Sequence, residues 1–169
     1  MLKRALVALV CLPTMALAQG SVGIGADTRD IQGDPLVSSH QHWAAFQTMD
    51  ESACYAATLA DDRKTFLKVN DRELEGGGGH VVSLLFGEPG QRRSEATLIV
   101  DDQKQYSMIS AGEAAWFTDG EAEDEARVAI LQGTRAEAIY VTADERPMRV
   151  TFSLRGATAA TRAAREACR

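Results

Sequence analysis

Residues 136–168 read AEAIYVTADERPMRVTFSLRGATAATRAAREAC, and this stretch decides the fold. Arg149, Thr151 and Ser153 alternate with Val150, Phe152 and Leu154, the period of two that places successive side chains on opposite faces of a strand. Ala136 to Thr142 forms a second candidate strand, and the intervening Asp144-Glu145-Arg146-Pro147 is rich in turn formers, so the two read as a hairpin. After Gly156 the period changes. At 100° per residue Ala157, Ala160, Ala164, Ala167 and Cys168 share one arc, and Thr158, Arg162, Arg165 and Arg169 share the opposite one. A helix therefore closes the chain with Cys168 pointing inward and its arginines solvated at the C-terminal end that the helix dipole favours.

Working backwards, the same pattern recurs. Candidate strands span His42–Thr48, Cys54–Leu59, Thr65–Val69, His80–Phe86, Ala96–Val100, Gln105–Ile109 and Ala114–Phe117, with Asp101-Asp102-Gln103-Lys104 as a further hairpin turn. Gly76-Gly77-Gly78-Gly79 marks a loop. Glu121 to Gln132 reads as a second helix. Its acids lie at the N-terminus, Gly133 lies just past its end and suits the C′ position, and Ala122, Ala126, Ala129, Ile130 and Gly133 make its inner stripe. Many short strands with regular turns and two short helices, one C-terminal, predict a mainly β chain, a sandwich or a barrel.

The front of the chain reads as an address. Lys3 and Arg4 precede an apolar run from Ala5 to Leu12, and Ala16-Leu17-Ala18 ends it in small residues, so residues 1–18 are expected to be a secretory signal peptide. The run is too short to span a bilayer, which needs about 20 apolar residues. Val10 before Cys11 is too bulky for lipoprotein processing. No comparable apolar run follows, so no membrane span is expected in the mature chain. Residues 19–41, with Gly20, Gly23, Gly25, Gly33 and Pro35 and no apolar period, are expected to be a flexible tail, leaving 42–169 as one domain.

The 169 residues are 45% hydrophobic and 25% charged, an ordinary globular profile, with a net charge of −6 from 18 basic and 24 acidic side chains. Loss of Lys3 and Arg4 with the leader would make it −8. That balance argues against nucleic acid as the main partner. Three cysteines become two. Cys54 and Cys168 in an exported chain read as a disulfide across 114 positions, and closing so long a loop would contribute about 4–5 kcal/mol on chain entropy.

Candidate chemistry is sparse. There is no Gly-x-Ser-x-Gly, Ser-x-x-Lys or His-Glu-x-x-His motif, and bridged cysteines are not nucleophiles. His40 and His42 on one side of an extended strand could be part of a zinc site completed by His80 or a carboxylate, the basis of a metal-dependent periplasmic enzyme as the alternative reading. The acids from Asp119 to Glu125 lack the spacing of a calcium loop and are explained by a helix N-terminus. Trp43, Tyr55, Trp116 and Phe117 are either core fillers or surface anchors, and core is the better reading in a chain with so few aromatics. Trp116, between Gly112-Glu113 and the acid cluster, is the one whose place near a loop makes it the candidate anchor.

Glu113-Ala114-Ala115-Trp116, the acid-led helix ending Gln132-Gly133, the run Thr151 to Ala160 and the terminal Cys168 together resemble the invasion-associated locus B family of alphaproteobacterial exported proteins. Trp43 followed by Ala53-Cys54-Tyr55 is similar to that family's tryptophan strand and cysteine. The resemblance covers about residues 42 to 168 and is most specific from 112 onward. Ala157 stands where the family usually has an aromatic, and Tyr55 where tryptophan is common. The resemblance implies an immunoglobulin-like β-sandwich, export to the periplasm or beyond, and no established catalysis; the family's name comes from host-cell invasion in pathogenic members. The first hypothesis is accordingly a non-enzymatic module without a cofactor that binds a protein or envelope component, with a purely structural envelope factor as a further possibility. Trp116, Glu113 and the Arg162, Arg165, Arg169 stripe are the candidate interaction residues.

Overall fold

The computed structural model describes residues 33–70 and 81–169. The expected signal peptide, most of the expected tail, the glycine loop and His80 lie outside the described residues. The strands are β1 (Leu36–His40), β2 (Trp43–Gln47), β3 (Cys54–Leu59), β4 (Phe66–Asn70), β5 (Val82–Leu85), β6 (Glu95–Val100), β7 (Lys104–Ser110), β8 (Ala114–Trp116), β9 (Arg135–Val141) and β10 (Pro147–Ser153). The helices are α1 (Gly120–Gln132) and α2 (Ala157–Ala167). The fold is mainly β and sandwich-like, as the alternation predicts.

All ten strands join one antiparallel ladder in the order β1-β2-β3-β4-β5-β8-β7-β6-β9-β10. The ladder curls over, because β10 returns to β2 and β3. The Trp43 indole Nε1 donates to the Ser153 carbonyl at 2.9 Å. The Asp61 N–H donates to the Thr151 carbonyl, and the Asp61 carboxylate accepts the Thr151 N–H at 2.9 Å. These bonds occupy part of the edge of β10, which would otherwise offer unpaired backbone to another chain.

Inward residues of both halves fill one core. Trp43, Leu67, Leu84, Leu98, Ile130 and Phe152 are fully buried. Each such side chain contributes roughly 1.5–3 kcal/mol relative to exposure. The other face of β2 and β3 is buried too. Ala44, Phe46, Tyr55 and Ala57 form a separate cluster with Phe66 and Leu85 packed against it. The Phe46 and Tyr55 rings stack at 5.4 Å, and the Lys68 ammonium lies 4.0 Å from the Tyr55 ring centre.

That second cluster corrects the expected boundary at residue 42. Asp34 is buried, accepts the Tyr55 hydroxyl at 2.7 Å and accepts the Met49 N–H at 3.1 Å. Burial first, then Asp34, pushes the Tyr55 phenol well above its ordinary pKa. Leu36–His40 then pairs with β2 as an edge strand. Its sequence, LVSSH, lacks alternation because its side chains are mostly exposed or half-buried.

Each helix closes one region. The Asp119 carboxylate caps α1 by accepting the Glu121 N–H. Gly133 is extended, with φ −79°, rather than left-handed. It is glycine for space: a Cβ there would lie 2.9 Å from the Ala129 carbonyl, Leu154 and Val100. Helix α2 packs over β1, β2 and β3 and buries Ala157, Ala160, Thr161 and Ala164, while Ala167 is exposed. Cys54 and Cys168 are joined, with Cα atoms 5.9 Å apart, beside Ala45 and Ala164. The disulfide ties the last residues of the chain to the start of β3.

Candidate functional site

Strand β8 sits where the two halves of the ladder meet, between β5 and β7. It is three residues long, and Gly112, at φ +92°, lies in the turn between β7 and β8, a conformation that favours glycine. Ala115 points into the core, fully buried, so Ala114 and Trp116 face outward. Trp116 is half-buried opposite Ser83 on one side and Ile109 on the other. Glu113 is exposed at the entry to the strand, and its carbonyl accepts the Phe86 N–H.

Three connections meet at this end of the sheet. The Gly90 N–H donates to the Gly112 carbonyl at 2.7 Å, the Ala143 N–H to Pro89 at 2.8 Å and the Gln91 N–H to Val141 at 2.8 Å. Between them is an open cleft of about 640 Å³ lined by residues 89–92, 111–114 and Ala143. Gly90 is forced by packing: a Cβ there would stand 2.6 Å from Ser110 Oγ and 2.8 Å from the Phe86 ring. Arg92 reaches over Gly112, its Nε 3.6 Å from where a Cβ would be. Ser110 is 1% exposed, and its hydroxyl has no hydrogen-bond partner among the described residues.

The sequence-predicted residues separate into two places. Glu113 and Trp116 belong to the β8 end of the sheet. The arginine stripe lies on α2, over β1 to β3, so it does not join them. Arg162 and Arg169 are exposed and Arg165 is half-buried. Trp43, Tyr55 and Phe117 are core residues, at 2% exposure or less.

The histidine reading is corrected. His40 ends β1, paired with Trp43, while Gln41 and His42 form the reversal, with Gln41 left-handed at φ +55°. The two imidazoles are therefore not successive same-side positions of one strand, and His40 Nε2 lies 2.9 Å from the Ser38 hydroxyl. Among the described residues no group of three His, Cys, Asp or Glu side chains is arranged to hold a metal ion.

Two residues escaped the sequence reading. Glu123, counted among the acids of a helix N-terminus, is 5% exposed and accepts the N–H groups of Val81 and Val82 at 2.8 and 3.0 Å. It pins the start of β5 to α1. Arg92 carries no motif. The signal that could have found it is the pair Gly90 and Gly112, two glycines in loops that flank one sheet end.

No described helix is long and apolar enough to cross a membrane. No family model matches the chain, and no curated protein matches it. Among solved structures, the chain is similar to the crystal structure of invasion associated protein b from Bartonella henselae, at 15% identity and a TM-score of 0.53. The likeness covers 76% of this chain and 94% of that one. At that identity the likeness shows a shared fold and nothing further.

Proposed function

We propose that the protein is an exported, non-enzymatic binding module whose partner is a protein or another component of the bacterial envelope. The observation that carries this reading is the outward placement of Trp116 at the centre of the sheet, with exposed Glu113 beside it. Aromatic side chains with a large contact area and few rotatable bonds are the commonest anchors of protein interfaces. Neighbouring Phe66, Leu85 and Ile109 are half-buried on the same outer face and extend the apolar row. The leader-like residues 1–18 and the Cys54–Cys168 disulfide support export, because disulfides persist outside the reducing cytoplasm. The arginine stripe of α2 is a second, separate contact surface in this proposal, and invasion is a property in the Bartonella protein's name alone.

The test is capture from the native envelope with immobilised wild type, Trp116→Ala and an Arg162→Glu, Arg169→Glu double variant. The reading predicts an envelope component retained by wild type and lost with Trp116→Ala at unchanged melting temperature. A Trp116→Ala protein that melts earlier and still retains the same components would make Trp116 a packing residue and refute the reading.

A further inference from the structure

We propose that the cleft at the β8 end of the sheet binds a small zwitterion, an α-amino acid or a short peptide with free ends. Arg92 would hold the carboxylate and Glu113 the ammonium. The inference rests on reading this end of the sheet as the binding face, but it needs no macromolecular partner.

Three observations carry it. First, the cleft has room. About 640 Å³ lies within the usual range for small-ligand sites. Its walls are Gly90, Gly112, Ala114 and Ala143, so a ligand backbone can approach the protein backbone closely. Second, the walls are preorganised. The hydrogen bonds from Gly90 to Gly112 and from Ala143 to Pro89 lock the three connections together, so little ordering is left to binding. Gly90 cannot carry a side chain without striking Ser110 Oγ and the Phe86 ring behind it, so the wall stays bare backbone at that point.

Third, the charges match. Arg92 and Glu113 are both exposed, line the same cleft, and form no ion pair among the described residues, with each other or elsewhere. The neighbouring β9–β10 end shows the contrast: Arg146 is paired with Glu88 and Asp144, and Arg149 with Glu137. A guanidinium presents a planar fork that suits a carboxylate. A carboxylate on the same rim repels a dianion and attracts an ammonium. Together they select a ligand carrying one charge of each sign, and the net charge of −6 further disfavours polyanions.

The experiment is a nuclear magnetic resonance titration of the isotopically labelled protein with alanine, trialanine and N-acetyl-trialanine amide. Saturable shifts of the Gly90, Arg92, Gly112 and Glu113 amides are expected, with a Kd of about 1 mM or tighter. Capping both ends should weaken binding about tenfold, as should Arg92→Ala or Glu113→Gln, each at unchanged melting temperature. Tighter binding of trialanine than of alanine would assign the site to peptides, and equal binding to free amino acids. Equal binding of the capped peptide, indifference to both variants, or no saturable shift up to about 20 mM would overturn the proposal. Envelope capture that fails while trialanine binds would refute the macromolecular reading and leave this one standing.

Discussion

Replacing Gly156 by alanine probes the junction on which closure of the fold depends. Gly156 precedes α2 at φ +102° and ψ −10°. An alanine there incurs about 1–3 kcal/mol of backbone strain. Packing adds a second cost. The new Cβ would lie 1.9 Å from the His40 carbonyl oxygen and 2.9 Å from its carbon, both backbone atoms of the β1–β2 reversal. Either that turn or the start of α2 must move by more than about 1 Å, at an overpacking cost of about 1–3 kcal/mol. The displacement also threatens the bond from the His42 N–H to the Arg155 carbonyl. The combined loss is about 2–6 kcal/mol, which in a chain of this size lowers the melting temperature by roughly 10 °C at the middle of that range. Urea unfolding followed by tryptophan fluorescence, with thermal melts beside it, measures the loss. A loss below about 1 kcal/mol would refute the argument that α2 is seated through this contact.

Four further outcomes follow from the same packing. Gly120→Ala, whose Cβ would meet nothing within 4 Å, should be neutral or stabilising by up to about 1 kcal/mol in the same assay. Glu123→Ala leaves the buried Val81 and Val82 N–H groups without their acceptor and should cost about 2–4 kcal/mol, with both amides losing hydrogen-exchange protection. Asp101 accepts the Thr134 and Arg135 N–H groups and the Thr134 hydroxyl, bonds that hold its carboxyl below the usual carboxylate range. Its contribution is therefore present above the unfolded pKa and lost as pH falls through the lower folded value. Asp101→Asn should flatten the acid side of the stability profile, by at most about 1 kcal/mol for so solvated a group. Removing the disulfide with Cys54→Ala and Cys168→Ala should cost about 2–5 kcal/mol, and adding reductant to wild type should lower its melting temperature similarly.

Much of the fold is legible in the sequence, and the reason is physical. Strands with one face in the core and one outward carry a period of two, so β10, with Val150 and Phe152 buried, is plain from its letters. The ends of β3 coincide with the apolar run Cys54–Leu59. Strand β1 was not legible, because an edge strand whose side chains lie mostly outside the core has no burial pattern to betray it. The inward turn of Glu123 was hidden for a related reason. An acid in the first turn of a helix is favoured by the dipole whichever way it points, and only the three-dimensional approach of Val81 and Val82 selects the core.

The candidate site was legible in part. Glu113 and Trp116 stood out beside a turn glycine. Their neighbour Arg92 lies twenty-one positions from Glu113, and only the pairing of Gly90 with Gly112 brings them to one rim. Local spacing also misled at His40 and His42, where an i, i+2 pair that would share a face in a continuous strand is broken by the left-handed Gln41.

The central claim is a sandwich closed by its C-terminal helix and disulfide, and the proposal adds export. Mass spectrometry of a non-reduced digest of the protein recovered from the periplasm or medium tests it most directly. The account predicts a chain beginning after Ala18 and a peptide pair joining Cys54 to Cys168. Retention of residues 1–18, or both cysteines alkylated without reduction, would contradict it.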